Sequence, residues 1–224
     1  MPPDFIPVFG SPAPGPGQTG VWLWRSVTGG SPEAVLSPDE TARVGRLRIP
    51  DRQSQLAHAL AERRHLLAVL LDKPASGVRV SHDDDGKPLL PDFPGVDISL
   101  SDSHGWNALA LSPAGAVGVD LEVVRPMDWA AMVPMICDPE EVDAALRTIR
   151  AADEPAGFFR CWTVKEAVLK AAGTGLRGNA RAVPVPTEIL GRAAAAARIE
   201  RDGVSYAVEV AQHEGVVVAR ALRS

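Results

Sequence analysis

The segment GAVGVDLEVV, residues 115–124, strongly restricts the structure that can surround it. Valine or leucine occupies every second position from 117 to 123, and this period of two is typical of a β-strand. Such a strand carries its apolar side chains on one face and Asp120 and Glu122 on the other, with their Cα atoms about 6.6 Å apart. Two neighbouring anions repel each other unless water or a cation separates them. The sequence therefore predicts a strand with one face on a hydrophobic core and the other in water or at a charged site.

Helix and strand patterns occur in both halves of the chain. The first half has a strand pattern over 20–27, helices over 37–47 and 51–71, and hairpin-like segments over 78–112. The second half has the strand at 117–123, helices near 139–149 and over 156–172, and two strands over 205–223. This shared order predicts an α+β fold of two similar α/β subdomains in a pseudo-twofold arrangement, residues 20–113 and 114–224, with the active site at their interface. Residues 1–19 are rich in proline and glycine and are predicted to form a mobile or loosely packed tail.

The charge and cysteine content exclude several classes of function. The 224 residues have a net charge of −5, so no basic field favours nucleic acid or an anionic membrane surface. No apolar run approaches the roughly 18 residues of a membrane span, and the N-terminus lacks the pattern of a signal peptide. Cys137 and Cys161 are too few and too far apart in sequence for a disulfide framework or a zinc site. These features indicate a cytoplasmic protein.

The helix predicted over 156–172 carries a second pair of charged residues, Glu166 and Lys170, at i and i+4. Each charged feature alone has a plain explanation, because such a helix pair is typical of an exposed salt bridge and Asp120 and Glu122 suit the wet face of an edge strand. Together, two carboxylates on a strand, a third on a helix and a lysine one turn later suit a hard divalent cation and a phosphate. Carboxylate oxygens select Mg²⁺, which also binds substrate phosphates.

Three motifs in this chain resemble those of the Sfp-type 4′-phosphopantetheinyl transferases: GKP at 86–88, GVDLE at 118–122 and WTVKEAVLKAAGTGL at 162–176. Their order and spacing fit that family from about residue 21 to the C-terminus. The resemblance implies transfer of the phosphopantetheine arm of coenzyme A onto a serine of an apo acyl or peptidyl carrier protein, with release of 3′,5′-ADP. It also implies a monomer of the broad-specificity branch, which serves polyketide and nonribosomal peptide assembly lines.

The resemblance assigns roles to individual residues. Asp120, Glu122 and Glu166 are expected to surround a Mg²⁺ ion that grips the pyrophosphate. Asp120, Glu166 and Lys170 are the expected catalytic residues, with Glu166 as ligand, base or both. The positions expected to bind coenzyme A are Arg43, Gly86, Lys87, Pro88, Ser101, Asp102, Ser103, Lys165 and Lys170.

One position departs from the family pattern. In SLSDSHGW, residues 99–106, Asp102 stands where a phosphate-contacting histidine is expected. An ionised aspartate beside phosphates is unfavourable by roughly 1 kcal/mol or more. Three explanations remain open: Asp102 turns away or binds an arginine, His104 takes the place of the missing histidine, or coenzyme A binds weakly or differently.

The segment RPMDWAAMVPMI, residues 125–136, is either core or a docking patch for the carrier helix, with Arg125 as its positive rim. Two rival functions also remain open. One is a Mg²⁺-dependent pyrophosphate hydrolase, and the other is a non-catalytic relative that binds coenzyme A or a partner.

Overall fold

The computed structural model describes residues 3–10, 19–27, 29–152 and 155–224. In the first half, these residues form β1 (Ile6–Gly10), β2 (Gly20–Arg25), α1 (Pro38–Gly45), α2 (Pro50–Leu71), β3 (Ser81–His82), β4 (Pro88–Leu89), β5 (Asp97–Ser103) and β6 (Trp106–Ser112). In the second half, they form β7 (Val117–Val123), α3 (Trp129–Ile136), α4 (Val142–Ala152), α5 (Ala156–Ala171), α6 (Thr187–Leu190), β8 (Ala196–Arg201), β9 (Val204–His213) and β10 (Val216–Arg223). Single-turn 3₁₀ helices lie at 32–35, 75–77, 175–177 and 180–182. The predicted α+β fold is confirmed.

Two four-stranded antiparallel sheets form the centre of the molecule. Their strand orders are β1-β2-β6-β5 and β7-β10-β9-β8, and β3 pairs with β4 in a separate short ladder. Antiparallel neighbours suit this chain because short turns, such as the one at residues 104–105, connect consecutive strands. The two sheets come from the two halves of the sequence. The subdomain boundaries and the pseudo-twofold relation stay predictions.

Three hydrophobic cores separate four layers. The middle core lies between the sheets and receives Val21 and Leu23 from β2 and Val119 and Leu121 from β7. On the outer side of the first sheet, the alternate residues of β2, Trp22 and Trp24, pack with the leucines of α2. On the outer side of the second sheet, α5 packs against β9 and β10. Because side chains alternate along a strand, a strand covered on both faces is apolar throughout, and residues 20–24 of β2, GVWLW, have that pattern.

The helix boundaries follow from local signals in the sequence. Ser37 accepts a hydrogen bond from the backbone N–H of Glu40, and the Glu40 carboxylate accepts one from the N–H of Ser37. This capping box begins α1 as the sequence predicts. The helix α5 ends at Ala171, before Gly173, whose positive φ of 77° ends a helix at little cost.

The prediction of a mobile or loosely packed tail over residues 1–19 is wrong at residues 6–10. Ile6–Gly10 forms β1, which pairs antiparallel with β2, and Phe9 is buried in the middle core. Ile6 and Val8 occupy alternate positions, which is typical of a strand, although Pro7 lies between them. Residues 1, 2 and 11–18, which belong to the same prediction, lie outside the described residues.

The two cysteines are close in space although 24 positions separate them. The Sγ atoms of Cys137 and Cys161 lie 3.8 Å apart, and both are buried free thiols. Cys137 follows the end of α3, which packs against α5, and α5 carries Cys161. In the described ranges, no helix is long and apolar enough to cross a bilayer.

Candidate active site

A cleft of about 540 Å³ lies where the two halves of the chain meet. Its walls are the β3–β4 loop, β5, β7, α5 and the turn that follows α5. Nine of the twelve residues that the sequence predicts for the site line this cleft: Gly86, Lys87, Pro88, Ser101, Asp102, Asp120, Glu122, Glu166 and Lys170. The motifs that were separate in sequence therefore share one cavity.

Asp120 is a buried carboxylate of the cleft, with 7% of its surface exposed. Its Oδ1 accepts hydrogen bonds from Ser101 Oγ at 2.8 Å and Lys170 Nζ at 2.8 Å. Burial raises the pKa of Asp120, Lys170 and Ser101 oppose that rise, and the charge of Glu122 adds to it. A carboxylate in this position needs a nearby positive charge to stay ionised, and Lys170 supplies one.

Glu122 lies two residues along the same face of β7 and is nearer to solvent. Its Oε2 accepts hydrogen bonds from Ser103 Oγ at 2.9 Å and from Arg125 Nη1 at 3.0 Å. Glu166 approaches from α5. Burial raises the pKa of the Glu166 carboxyl, the charge of Asp120 raises it further, and Lys170 opposes both. The three carboxyl groups thus lie around one charged region.

Lys170 connects the helix to the strands. Its Nζ donates to Asp120 Oδ1, to Val119 O at 3.0 Å and to Leu100 O at 3.2 Å. These acceptors belong to β7 and β5, so the ammonium group bridges the edges of the two sheets. This contact differs from a simple exposed helix salt bridge between Glu166 and Lys170 and gives the lysine a place in the cleft.

Gly118 explains how α5 comes close enough to bring its side chains to β7. A Cβ at this position would lie 1.9 Å from Ala167 O and 2.5 Å from Ala171 N. Only a residue without a side chain allows the helix backbone to rest on the strand in this way. Gly118, Asp120 and Glu122 therefore lie on one face of β7. This face packs against α5 at position 118 and lines the polar cleft at positions 120 and 122.

The donor chemistry of the site fits Mg²⁺, although a complete ligand set is not assembled. Among the described residues, no group of three or more His, Cys, Asp or Glu side chains is arranged to hold a metal ion. The expectation that Asp120, Glu122 and Glu166 surround a Mg²⁺ ion stays a prediction. Mg²⁺ commonly uses one or two carboxylates together with waters and substrate phosphates. Carboxyl groups whose pKa values are raised by burial and by each other suit a cation as partner.

The loop between β3 and β4 forms the opposite wall. Asp83 Oδ1 accepts the backbone N–H groups of Asp85 and Lys87, and Gly86 has a φ of 84° that favours glycine. Lys87 Nζ donates to Asp97 Oδ2 at 2.8 Å. The loop is thus held in shape by its own acid, and the Lys87 ammonium is paired at the edge of the cleft.

Arg177 also lines the cleft, and the sequence motifs did not single it out. It lies in the 3₁₀ turn at 175–177, where Nη1 is 2.5 Å from Asp85 Oδ1 and Nη2 donates to Asp84 O at 3.4 Å. The guanidinium group therefore joins the turn after α5 to the β3–β4 loop. Its position directly after GTGL was the signal that would have indicated it.

Three predicted site residues lie outside the lining of the cleft. Arg43 is an exposed residue of α1. Ser103 is buried behind Glu122, to which it donates. Lys165 has no exposed surface, and its Nζ donates to Ala180 O at 3.1 Å and to Val183 O. The phosphate contact expected for Lys165 is therefore wrong, because the side chain points into the second half and binds backbone carbonyls there.

The histidine missing at 102 is not replaced by its neighbour. Asp102 is exposed and lines the cleft. His104 lies after the end of β5 in a left-handed turn with a φ of 49°, next to Ser103 Oγ at 3.0 Å and outside the lining. The explanation that His104 fills the gap required the strand to continue, and β5 ends at Ser103.

Comparison with known proteins agrees with these motifs. Residues 116–220 match the family model of the 4′-phosphopantetheinyl transferase superfamily. The chain is 32% identical to 4′-phosphopantetheinyl transferase HetI from Nostoc sp. (strain PCC 7120) over 64% of this chain and 62% of that protein. It is 31% identical to 4′-phosphopantetheinyl transferase AcpT from Salmonella typhimurium over 79% of this chain and 90% of that protein.

A third relative is 4′-phosphopantetheinyl transferase Sfp from Bacillus subtilis, which is 30% identical over 47% of this chain and 45% of that protein. The chain thus spans less than two thirds of HetI and less than half of Sfp, but nine tenths of AcpT. The family model covers β7, α5 and most of β10, which carry the carboxylates and the lysine of the cleft. The chain belongs to the 4′-phosphopantetheinyl transferase superfamily.

Proposed function

We propose that the protein transfers the phosphopantetheine arm of coenzyme A to a serine of an apo acyl or peptidyl carrier protein and releases 3′,5′-ADP in a Mg²⁺-dependent reaction. The observation that carries this proposal is the cleft in which Asp120, Glu122 and Glu166 meet Lys170 beside the Gly86–Pro88 loop. Membership of the superfamily and the names of the relatives support the same activity.

The charge balance of the cleft explains why a cation is part of the proposal. Five acids and three bases line it: Asp85, Asp102, Asp120, Glu122 and Glu166 against Lys87, Lys170 and Arg177. Each of the three bases already has an acidic partner at 2.8 Å or less. A polyanion such as coenzyme A would meet net negative charge in this cavity. A divalent cation bound by the carboxylates reverses that repulsion and links the protein to the pyrophosphate.

Asp120, Glu122 and Glu166 would hold the ion in combinations of one or two carboxylates with phosphate oxygens. When bound, Mg²⁺ stabilises the charge that develops on the pyrophosphate and orients it for attack. Lys170, already fixed between β5 and β7, lies where it can offset negative charge on the departing nucleotide.

The proton of the serine needs an acceptor in the cleft, and we assign this role to Glu166. The serine oxygen forms a bond to the phosphorus that carries the pantetheine arm, and the bond from that phosphorus to 3′,5′-ADP breaks. The bonding electrons leave with the nucleotide, and the serine proton passes to the carboxylate. Glu166 suits this purpose because α5 brings it into the cleft, where the charge of Asp120 acts on it.

The remaining wall suits the nucleotide end of coenzyme A. Gly86 and Pro88 shape the loop, and Lys87 can exchange Asp97 for a phosphate. Arg177 can exchange Asp85 for a phosphate in the same way, because the guanidinium group is exposed and has several donors. Arg43 remains a proposed contact at the outer edge. Asp102 faces the same cavity, and we expect it to weaken the grip on a phosphate.

The carrier is proposed to dock on the segment after β7. Met135 has 62% of its surface exposed on α3, whereas Met132 packs against the core of the second half. Arg125 lies over the Phe159 ring at 5.1 Å and pairs with Glu122, so its guanidinium is held beside the cleft. An exposed thioether and a fixed positive charge in the same segment suit an acidic helix. The Sfp-type subclass, the assembly-line carriers, the monomeric state and the cytoplasmic location are part of the proposal.

One assay tests the function. The protein is incubated with coenzyme A, Mg²⁺ and several apo carrier proteins, and all products are identified by mass spectrometry. Attachment of the arm to a carrier supports transfer, free phosphopantetheine with nucleotide indicates a hydrolase, and no turnover indicates a binding protein. We expect Glu166→Gln to abolish attachment and Glu140→Gln, the same change at an exposed position outside the cleft, to preserve it.

A further inference from the structure

The edge of β7 that faces away from β10 is closed by side chains of β5. Strand β7 is the last strand of its sheet and β5 is the last strand of the other, so within the described ranges neither has a further backbone ladder on this side. Four side-chain oxygens of β5 accept the backbone N–H groups of β7: Asp97 Oδ2 from Val117 at 2.8 Å, Ser99 Oγ from Val119 at 3.0 Å, Ser101 Oγ from Leu121 at 3.3 Å and Ser103 Oγ from Val123 at 3.4 Å. We call these four contacts the β5–β7 seam.

The seam keeps a constant register. Each donor lies twenty residues after its acceptor, and both strands contribute every second residue. This pairing follows from the alternation of strand side chains and backbone edges. It satisfies N–H groups that would otherwise be buried without a partner, so it joins the two halves of the molecule without a continuous sheet.

Two of the three seam serines make a second contact that Ser99 lacks. A hydroxyl group that accepts an N–H still has its own proton to donate. Ser101 donates this proton to Asp120 Oδ1 at 2.8 Å, and Ser103 donates to Glu122 Oε2 at 2.9 Å. The same hydroxyl therefore fixes both the strand edge and one oxygen of a cleft carboxylate.

Ser99 provides the comparison within the protein. Ser101 accepts the N–H of Leu121 and donates to the residue before it, Asp120. Ser99 accepts the N–H of Val119, and the residue before Val119 is Gly118. Position 118 has no carboxylate because α5 occupies the space of a side chain there. Ser99 thus makes a seam contact of the same kind without touching an acid of the site.

We propose that Ser101 and Ser103 are positioning residues that orient Asp120 and Glu122 for the cation. This inference rests on the proposed function and replaces direct coenzyme A binding as the main role of the two serines. Each hydroxyl engages one oxygen of its carboxylate and leaves the second oxygen for the cleft. A carboxylate held by a fixed donor loses rotamer freedom, which gives the accuracy that a ligand of a small cation needs. Arg125 shares this task for Glu122 and Lys170 shares it for Asp120, because each donates to the same carboxylate oxygen as the serine.

The test measures binding of Mn²⁺, a spectroscopic probe for the Mg²⁺ site, by electron paramagnetic resonance in the presence of coenzyme A. We expect Ser101→Ala to weaken Mn²⁺ binding at least fivefold, and Ser101→Thr, which keeps the hydroxyl, to restore binding to within about threefold of wild type. Ser99→Ala removes an equivalent backbone contact and is expected to lower Tm by a similar amount while Mn²⁺ binding stays within twofold. Ser103→Ala should also weaken Mn²⁺ binding, since Glu122 then keeps only Arg125 as its partner, just as Asp120 keeps Lys170 in Ser101→Ala.

Several results would overturn this inference. Equal weakening by Ser99→Ala and Ser101→Ala would mean that the seam acts only by joining the sheets. Unchanged Mn²⁺ binding in Ser101→Ala, with weaker binding of coenzyme A in the absence of metal, would assign the hydroxyl to direct substrate contact. A wild-type protein that does not bind Mn²⁺ would also refute it. Failure of the proposed function can be distinguished from failure of this inference. If the variants show the expected differences in Mn²⁺ binding but the wild type modifies no carrier, the transfer activity is disproved and the positioning role is supported.

Discussion

Replacing Gly118 by alanine tests the contact between β7 and α5 on which the candidate active site depends. The new methyl carbon would lie 1.9 Å from Ala167 O and 2.5 Å from Ala171 N, whereas ordinary contact begins at 3.4 Å. Strand and helix would have to separate by about 1.5 Å, and both obstructing atoms are backbone, so no side-chain rotation relieves the clash. Overpacking of a core costs about 1–3 kcal/mol and occasionally more, and we expect a loss of about 3 kcal/mol here.

Two measurements follow from this magnitude. In a chain of this size, 1 kcal/mol corresponds to about 2–4 °C, so Tm should fall by about 6–12 °C in calorimetry. Glu166 and Lys170 move with α5, away from Asp120 on β7. Since a misplacement of about 1 Å can reduce a rate about 100-fold, we expect a loss of that order in kcat/KM at a temperature where the variant is still folded.

A matched glycine provides the control. Gly45 is the last residue of α1, and a Cβ added there would meet nothing within 4 Å. Gly45→Ala should therefore change Tm by no more than about 2 °C and leave transfer unaffected. If Gly118→Ala matched this control in both Tm and kcat/KM, the close approach of α5 to β7 would be refuted, together with the reason given for glycine at this position.

Three further variants test other parts of the structure. Burial would raise the pKa of Glu40, but the Ser37 N–H and the Arg64 and Arg63 guanidinium groups outweigh it and hold the pKa below its ordinary value. The ionised Glu40 carboxylate therefore stabilises the fold at neutral pH, and this stabilisation is lost as the pH falls through the lowered pKa. We expect the Tm difference between wild type and Glu40→Gln to be smaller in acid. An equal difference at pH 3 and pH 7 would contradict this. Met135→Glu should raise KM for the carrier but not for coenzyme A, and equal effects on both constants would remove Met135 from the docking surface. Asp102→His should lower KM for coenzyme A about fivefold, since it removes roughly 1 kcal/mol of repulsion, and an unchanged or higher KM would reject that view of Asp102.

The parts of the fold that the sequence predicts are those decided by neighbours along the chain. The alternation at 117–123 predicted Val119 and Leu121 on one face of the strand and Asp120 on the other, and in the structure the apolar face lies in the middle core. The helix predicted over 156–172 is Ala156–Ala171, and the Ser37 cap begins α1. Periodicity, caps and glycine stops act within a few residues, so a single sequence carries them.

Other features depend on contacts between distant segments and were missed for that reason. Lys165 is one residue from Glu166, and only the packing of the 180–183 segment shows that it binds backbone carbonyls instead of facing the cleft. The strand β1 is masked in the sequence by Pro7 and the prolines around it, and its pairing with β2 reveals it. The β5–β7 seam joins side chains to backbone across two sheets, and no local pattern distinguishes its serines from those of an exposed strand.

Gly118, Asp120 and Glu122 lie on one face of β7, and the surroundings of this face differ from one position to the next. These differences explain which residue type occurs at each position. At 118 the helix backbone touches the strand, and a side chain would collide with it. At 120 the carboxylate is buried beside Lys170, and at 122 it is half-buried and bound to Arg125. A wet edge strand does not explain this order, because solvent would not need a lysine from α5 to stabilise Asp120, nor would it raise the pKa of Glu166 through burial and the charge of Asp120. Asp120 and Glu122 follow the point where α5 touches the strand, and they give the cleft its negative charge. A cation bound there would be stabilised by these carboxylates and could in turn bind a phosphate ester.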